Sequence, residues 1–93
     1  MTTIPITPNY SLGIAHYQKL RVRLIVFKNG EEYVCRKESI YKVKQFLALD
    51  EGRAFMGRLQ LVKDGDGIVV EVKGEVVGVV KPGDLEKLLD ASL

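Results

Sequence analysis

The stretch LRVRLIVFKNGEEYVCR, residues 20–36, decides the fold class, because it predicts an antiparallel β-hairpin. Apolar and polar residues alternate on both sides of Asn29-Gly30. This dipeptide supplies the two positive-φ positions of a type I′ turn, which is the strongest short hairpin signal. With these two residues as the loop, Leu24 faces Cys35. The sequence therefore predicts two paired strands with two distinct faces.

The two faces of this hairpin differ in character, since side chains alternate across a strand with period two. One face is predicted to lie on the core: Leu20, Val22, Leu24, Val26, Tyr33 and Cys35. The other face combines arginines with apolar side chains: Arg21, Arg23, Ile25, Phe27, Val34 and Arg36. Basic groups interleaved with an aromatic ring on an open sheet can hold single-stranded nucleic acid. Apolar residues there instead favour cover by protein. Both interpretations stay open.

Downstream of the hairpin, the pattern predicts a helix, three strands and a short final helix. The first helix lies in ESIYKVKQFLALDEG, where Ser39 can cap the start and Gly52 suits the position just past the end. The strands are Phe55–Lys63, Ile68–Lys73 and Val76–Val80, and a Pro-Gly-Asp turn opens the last helix. Gly78 lies mid-strand in VVGVV, which indicates a bulge or a close approach of another segment.

Residues 1–18 carry no charged side chain. Pro5 and Pro8 exclude a helix and argue against a fully paired inner strand, so an extended arm suits the segment better. The arm is too apolar to be a solvated tail: its large residues are Ile4, Ile6, Tyr10, Leu12, Ile14 and Tyr17. We therefore predict a homo-oligomer, in the first instance a dimer, with this arm in the interface.

These elements together predict an α+β protein of order ββαβββα, preceded by the extended N-terminal arm. The expected architecture is an antiparallel sheet of about five strands with two helices packed on one face. Residues 1–18 form the arm in this interpretation, and residues 19–93 form a single α+β domain.

The stretch LVKDGDGIVVEVKGE, residues 61–75, has the outline of a calcium loop that starts at Asp64 and ends at Glu75. Position 5 of that loop is Ile68, whose side chain has no oxygen, and position 6 is Val69, where the bend needs glycine. Asp-Gly-Asp-Gly between two apolar strands is instead typical of a tight turn. The sequence therefore predicts a turn and no metal site.

Catalytic chemistry has few candidate residues in this chain. His16 is the only histidine and Cys35 the only cysteine. A Cys–His pair can form a nucleophile, but alternation places Cys35 on the core face, where a thiol packs as a small hydrophobe. The glycine spacing matches no phosphate-binding loop. We predict no catalytic residue and no cofactor, and hence a chain that is not an enzyme.

Composition and charge limit the partners and the cellular setting that the sequence allows. The 93 residues carry a net charge of +2. Its distribution is uneven, because residues 1–46 hold eight Lys/Arg and three Glu, whereas residues 47–93 hold six Lys/Arg and nine Asp/Glu. No apolar run approaches the roughly 18 residues of a membrane span, and the N-terminus lacks the charge pattern of a signal peptide. With a single cysteine, the expected setting is cytoplasmic.

The C-terminal stretch DGDGIVVEVKGEVVGVVKPGDLEKLLDASL, with the helix SIYKVKQFLAL before it, has αβββα order and a Lys-Pro-Gly turn into a final helix. In this it resembles the HicA-type toxins, which are RNA-cleaving domains with a double-stranded-RNA-binding-like fold. The resemblance implies a catalytic histidine after a glycine on the first of the three strands. That stretch here is Gly57-Arg58-Leu59-Gln60, without histidine, so the resemblance implies the fold but not the nuclease activity.

The sequence as a whole predicts a small non-enzymatic interaction domain that self-associates or docks on a protein partner. One alternative is nucleic-acid binding through the face of Arg21, Arg23 and Arg36. Another is a catalytically degenerate HicA-like domain with an RNA-related role.

Overall fold

The computed structural model describes residues 2–55 and 57–93, in which the chain forms two antiparallel four-stranded sheets and two helices. The first sheet has the strands β1 (Thr3–Pro5), β2 (Tyr10–Gln18), β3 (Arg21–Lys28) and β4 (Glu31–Ser39), in that spatial order. Helix α1 (Ile40–Leu47) follows. The second sheet has β5 (Glu51–Ala54), β6 (Leu59–Asp64), β7 (Gly67–Val72) and β8 (Glu75–Val80), and helix α2 (Pro82–Ser92) comes after it. The α+β class is confirmed, with two sheets in place of one sheet of about five strands.

The segment predicted as an extended arm forms two strands of the first sheet. Strand β2 is an inner strand, because it pairs with β1 on one side and β3 on the other. Its residues Leu12 and Ile14 are buried in the core. Pro5 ends the edge strand β1 and Pro8 lies in the connection, so neither removes a hydrogen bond from the inner strand. The prolines precede that strand rather than interrupt it. Met1 lies outside the described residues.

Two tight turns predicted from the sequence are confirmed. Asn29 and Gly30 have φ values of 53° and 83°, as a type I′ turn requires. The Asp-Gly-Asp-Gly turn joins β6 to β7, where Asp64 pairs with Gly67. Gly65, at the first turn position between them, has a φ of 61°. The stretch with the outline of a calcium loop is therefore a strand–turn–strand unit.

A bulge in β4 reverses the predicted faces of that strand. Val26 pairs with Val34, and Tyr33 is the extra residue where the register shifts. A slip of one residue exchanges the two faces of a strand, so Val34 is buried and Cys35 is exposed. The prediction that Cys35 faces the core is wrong for this reason. Leu24 faces Arg36 instead.

Helix α1 begins as the sequence predicts, because the Ser39 side chain accepts a hydrogen bond from the backbone N–H of Lys42 at 3.1 Å. It ends earlier than expected. The buried Lys63 ammonium donates to the carbonyl of Leu47, and a cation at that position stabilises a helix C-terminus. Gly52, predicted just past the helix, lies in strand β5.

The predicted strand Phe55–Lys63 is shorter in the structure, because a turn separates β5 from β6. Phe55 has a φ of 67° and Gly57 a φ of 108°, both in the left-handed region. That region is unfavourable for an aromatic residue. The ring of Phe55 packs on that of Phe46, with centroids 5.8 Å apart, and this contact helps to hold it. Met56 lies outside the described residues.

Side chains of both sheets and both helices form one buried core. Its members are Leu12, Ile14, Val22, Leu24, Val26 and Val34 of the first sheet, Leu59, Leu61, Ile68, Val70, Val72 and Val80 of the second, Ile40, Val43, Phe46, Leu85, Leu88 and Leu89 of the helices, and Phe55 of the turn after β5. The close approach predicted at Gly78 is present. A Cβ atom built there would lie 2.3 Å from Cγ2 of Ile6, in the connection between β1 and β2. The pairing of β7 with β8 also shifts register beside Gly78.

Candidate binding surfaces

The outer face of the first sheet, opposite the core, is the first candidate site. We call it the basic face, and it contains Tyr17, Arg21, Arg23, Ile25, Phe27, Cys35 and Lys37. Both helices bury their apolar residues in the core on the other side of the sheet. The sequence placed Arg21, Arg23, Ile25 and Phe27 correctly on one face. It placed Val34 and Arg36 there wrongly, because the bulge in β4 turns them to the inner side.

The apolar residues of the basic face are mostly covered by their own neighbours. Ile25 is 2% exposed although it lies outside the main core. Arg23 and Phe27 flank it on β3, and Cys35 faces it on β4. Arg23 forms an ion pair with Glu32, and a hydrogen bond with Cys35 and the charge of Glu32 raise the pKa of its guanidinium. Long basic side chains commonly cover apolar neighbours with their stems, and Arg23 lies beside Ile25 on the same face of β3.

Cations lie against aromatic rings at both ends of the first sheet. At one end, the Lys37 Nζ lies 4.4 Å from the ring centroid of Tyr17, and its hydrogen bond and charge lower the pKa of the Tyr17 hydroxyl. At the other end, the ammonium groups of Lys28 and Lys73 lie 5.0 and 4.3 Å from the ring of Tyr33. Significant cation–π contacts occur about once per 70–80 residues, so this small domain has more of them than is usual for its length.

The outer face of the second sheet is the second candidate site. We call it the valine face, because Val62, Val69 and Val79 are paired directly across β6, β7 and β8. Val76 shares this side, since it pairs with Glu71, two residues from Val69. Val76 and Val79 are 65% and 56% exposed. Adjacent apolar side chains on an uncovered sheet face form a contiguous patch.

A polar network borders the valine face. The Arg53 guanidinium donates to the Glu71 carboxylate at 2.8 Å and to the side-chain oxygen of Gln60 at 2.7 Å. The bond from Arg53 lowers the pKa of Glu71 below its usual value. These pairs are exposed and individually weak, so their effect is to fix the rim of the patch rather than to stabilise the fold.

A groove of about 630 Å³ beside helix α1 is the third candidate site. We call it the α1 groove. Its apolar wall includes Phe46, Leu49 and Phe55, and its polar side is formed by Arg36, Glu38 and Lys42. Glu38 is 5% exposed, with its carboxylate oxygens 3.4 Å from Arg36 Nε and 3.9 Å from Lys42 Nζ. Simple alternation along β4 does not predict this site, because only the bulge in that strand turns Arg36 and Glu38 inward.

The lone histidine and the lone cysteine are not brought together. His16 pairs with Val22, whose side chain is in the core, whereas Cys35 pairs with Ile25 on the basic face. The two side chains therefore lie on opposite sides of the sheet. Over residues 2–55 and 57–93, no group of three or more His, Cys, Asp and Glu is placed to hold a metal ion.

The fold and these surfaces define a small α+β protein with two uncovered sheet faces. Comparison with known proteins finds no matching family model, no matching curated protein and no matching solved structure. The resemblance to HicA-type toxins is therefore not supported by a family match. The structure also has four strands between α1 and α2, where the resemblance implies three. None of the helices in the described part of the chain is long and apolar enough to cross a membrane.

Proposed function

We propose that this chain is a non-enzymatic interaction module whose basic face binds single-stranded nucleic acid. The observation that carries the proposal is the pairing of Tyr17 with Lys37 beside Arg21 on an uncovered sheet. Aromatic rings offer stacking platforms to bases, and neighbouring cations attract the phosphates. Cover of this face by protein has less support than the sequence suggested, because Val34 is in the core and the N-terminal segment is part of the sheet.

The dimensions of the face suit a short single strand. Strand β3 has eight residues. At about 3.3 Å per residue such a strand is about 26 Å long. That length accommodates on the order of four nucleotides, the lower end of the site sizes of single-strand-binding domains. On the basic face, Tyr17, Arg21 and Lys37 lie at one end and Phe27 lies at the other, so these side chains can contact successive parts of one strand.

Binding of a fluorescein-labelled thymidine oligonucleotide, measured by fluorescence anisotropy at several salt concentrations, tests this proposal. In Arg21→Ala with Lys37→Ala, the slope of log K against log salt is expected to fall by about 1.4, since each phosphate contact contributes about 0.7. The double variant Lys81→Ala with Lys87→Ala is the control. It also loses two positive charges, but at positions away from the basic face, so it should keep the parent slope. No binding at low salt, or equal slopes in both pairs, contradicts the proposal.

Stacking is tested separately by Tyr17→Leu, which keeps an apolar side chain but removes the ring. Loss of one base–aromatic stack is expected to weaken oligonucleotide binding by about 1–3 kcal/mol. Tyr41→Leu is the matched control, because Tyr41 is exposed on helix α1, away from the basic face. Equal affinities for the two variants would mean that bases do not stack on Tyr17.

We propose as a second function that the chain self-associates, with the valine face as the interface. The exposed pair Val76 and Val79 supports this, because contiguous apolar patches on small proteins mark interaction sites. Two such sheets can pack face to face, as in a β-sandwich. The valine face suits this role better than the N-terminal segment, whose residues Leu12 and Ile14 are buried within their own chain.

Val79→Lys is expected to convert a dimer of this chain to a monomer, because two lysines would meet near the centre of a two-fold interface. Light scattering over a range of protein concentrations gives the mass. Tyr41→Lys introduces the same charge at another exposed position and should leave the mass unchanged. A parent chain that is monomeric at high concentration rules the proposal out, as does a Val79→Lys variant that stays dimeric.

A further inference from the structure

We propose that the α1 groove binds an amphiphilic carboxylate, with the apolar body of the ligand against the apolar wall at Leu49 and its carboxylate at Lys42. This site is separate from the basic face and the valine face, and the proposal does not depend on either. Its volume of about 630 Å³ lies within the range of small-ligand pockets, about 300–1,000 Å³.

The wall of the groove is suited to an apolar body. Phe46 of α1 and Phe55 of the turn after β5 pack with their rings tilted, 47° between planes, and are buried behind the wall, while Leu49 presents the exposed apolar surface beyond the helix end. Leu49 is 42% exposed, which is a high value for a leucine beside two aromatic rings. A ligand that covers Leu49 removes this apolar area from water, and such burial is favourable.

The charges of the groove select an anion. Arg36 and Lys42 contribute two positive charges and Glu38 one negative charge, so the polar side is cationic overall. Glu38 is buried and already has both cations near its carboxylate. Lys42 lies 3.9 Å from that carboxylate, well beyond the 2.7–2.9 Å of a close charge-assisted hydrogen bond. Its side chain is 68% exposed, so the ammonium is available to a second anion at the mouth of the groove.

The backbone at Phe55 is a second and independent observation. A phenylalanine at a φ of 67° is strained, and residues held in this way cluster at ligand sites. Phe55 lines the groove, and the Arg36 guanidinium lies 5.7 Å from its ring centroid.

The test uses the full chain with 1-anilinonaphthalene-8-sulfonate as a fluorescent aromatic anion, and decanoate, decanol and decylammonium as competitors. The probe is expected to bind saturably with one site per chain, and decanoate is expected to displace it. Decanol and decylammonium, which share the apolar body, are expected to be weaker competitors. Equal displacement by decanol overturns the role of the anion, and displacement mainly by decylammonium overturns the assigned charge.

Variants locate the site. Lys42→Glu is expected to weaken probe and decanoate binding about threefold to tenfold, the effect of reversing one exposed charge. Lys44→Glu makes the same change on the same helix, outside the groove lining, and should bind as the parent does. Ala48→Trp places a bulky ring in the groove and is expected to abolish saturable binding. Absence of saturable binding to the parent, equal losses in the two lysine variants, or full affinity in Ala48→Trp overturns the proposal.

Discussion

Replacing Gly78 with alanine is expected to lower the free energy of unfolding by about 2–6 kcal/mol. Two effects add. The φ of 155° at Gly78 is one that L side chains rarely adopt, and such strain costs about 1–3 kcal/mol. The added Cβ would also lie 2.3 Å from Cγ2 of Ile6, and overpacking of this kind costs about 1–3 kcal/mol. The loss is large, since small domains have only about 5–15 kcal/mol of stability.

Urea unfolding followed by circular dichroism measures this loss. Gly83→Ala is the matched control, because no heavy atom lies within 4 Å of a Cβ built at Gly83, and its φ is not positive. That variant should keep the parent stability or exceed it slightly, since alanine favours helix. Combining Gly78→Ala with Ile6→Ala removes the clashing methyl group, so the two changes should couple. A Gly78→Ala variant as stable as the parent would mean that Ile6 does not pack on β8 in solution.

Deletion of residues 2–18 is expected to abolish cooperative unfolding. The deletion removes β1 and the inner strand β2, and with them the buried side chains of Leu12 and Ile14. Loss of each such side chain typically costs about 2–5 kcal/mol, and the deletion also leaves the apolar strand β3 as an unpaired edge. Together these losses are comparable to the stability of an ordinary domain, about 5–15 kcal/mol. The experiment decides whether residues 19–93 form a domain without the N-terminal segment.

Two smaller changes make this result interpretable. Leu12→Ala alone should keep a cooperative transition but lose about 2–5 kcal/mol, because it leaves a cavity in the core. Leu49→Ala removes the same atoms from a partly exposed position and should change stability by no more than about 0.5 kcal/mol. If residues 19–93 melt cooperatively near the parent temperature, the segment is an arm outside a 19–93 domain, as the sequence suggested.

The uneven charge of the sequence corresponds to a separation of surfaces. The basic first half of the chain forms the basic face, and the acidic second half forms the valine face with its rim of Arg53, Gln60 and Glu71. The two faces belong to different sheets and share no residue, so variants of one leave the other intact. Nucleic-acid binding and self-association can therefore be tested independently on the same protein.

The part of the basic face that lies on β3 was predictable from the sequence, because that strand has no bulge. Arg21, Arg23, Ile25 and Phe27 lie on one strand without a bulge between them, so simple alternation places them correctly. Val34 and Arg36 lie beyond the extra residue Tyr33, and each is on the side opposite to the prediction. Nothing in the local sequence marks Tyr33 as a bulge, because the hairpin turn fits an unbulged ladder equally well. The α1 groove was missed for the same reason.

The sequence by itself determined what short-range physics controls: the α+β class, the Asn29-Gly30 and Asp-Gly-Asp-Gly turns, the Ser39 cap, and a close contact at Gly78. The turns and the cap depend on backbone φ preference or on a hydrogen bond within a few residues, whereas at Gly78 the missing side chain indicated close packing without naming Ile6 as the partner. Tertiary structure alone decided that residues 10–18 are an inner strand, that the strands divide into two sheets, and which side of β4 meets the core. These outcomes depend on which apolar surfaces bury one another, and that free energy is summed over contacts far apart in the chain.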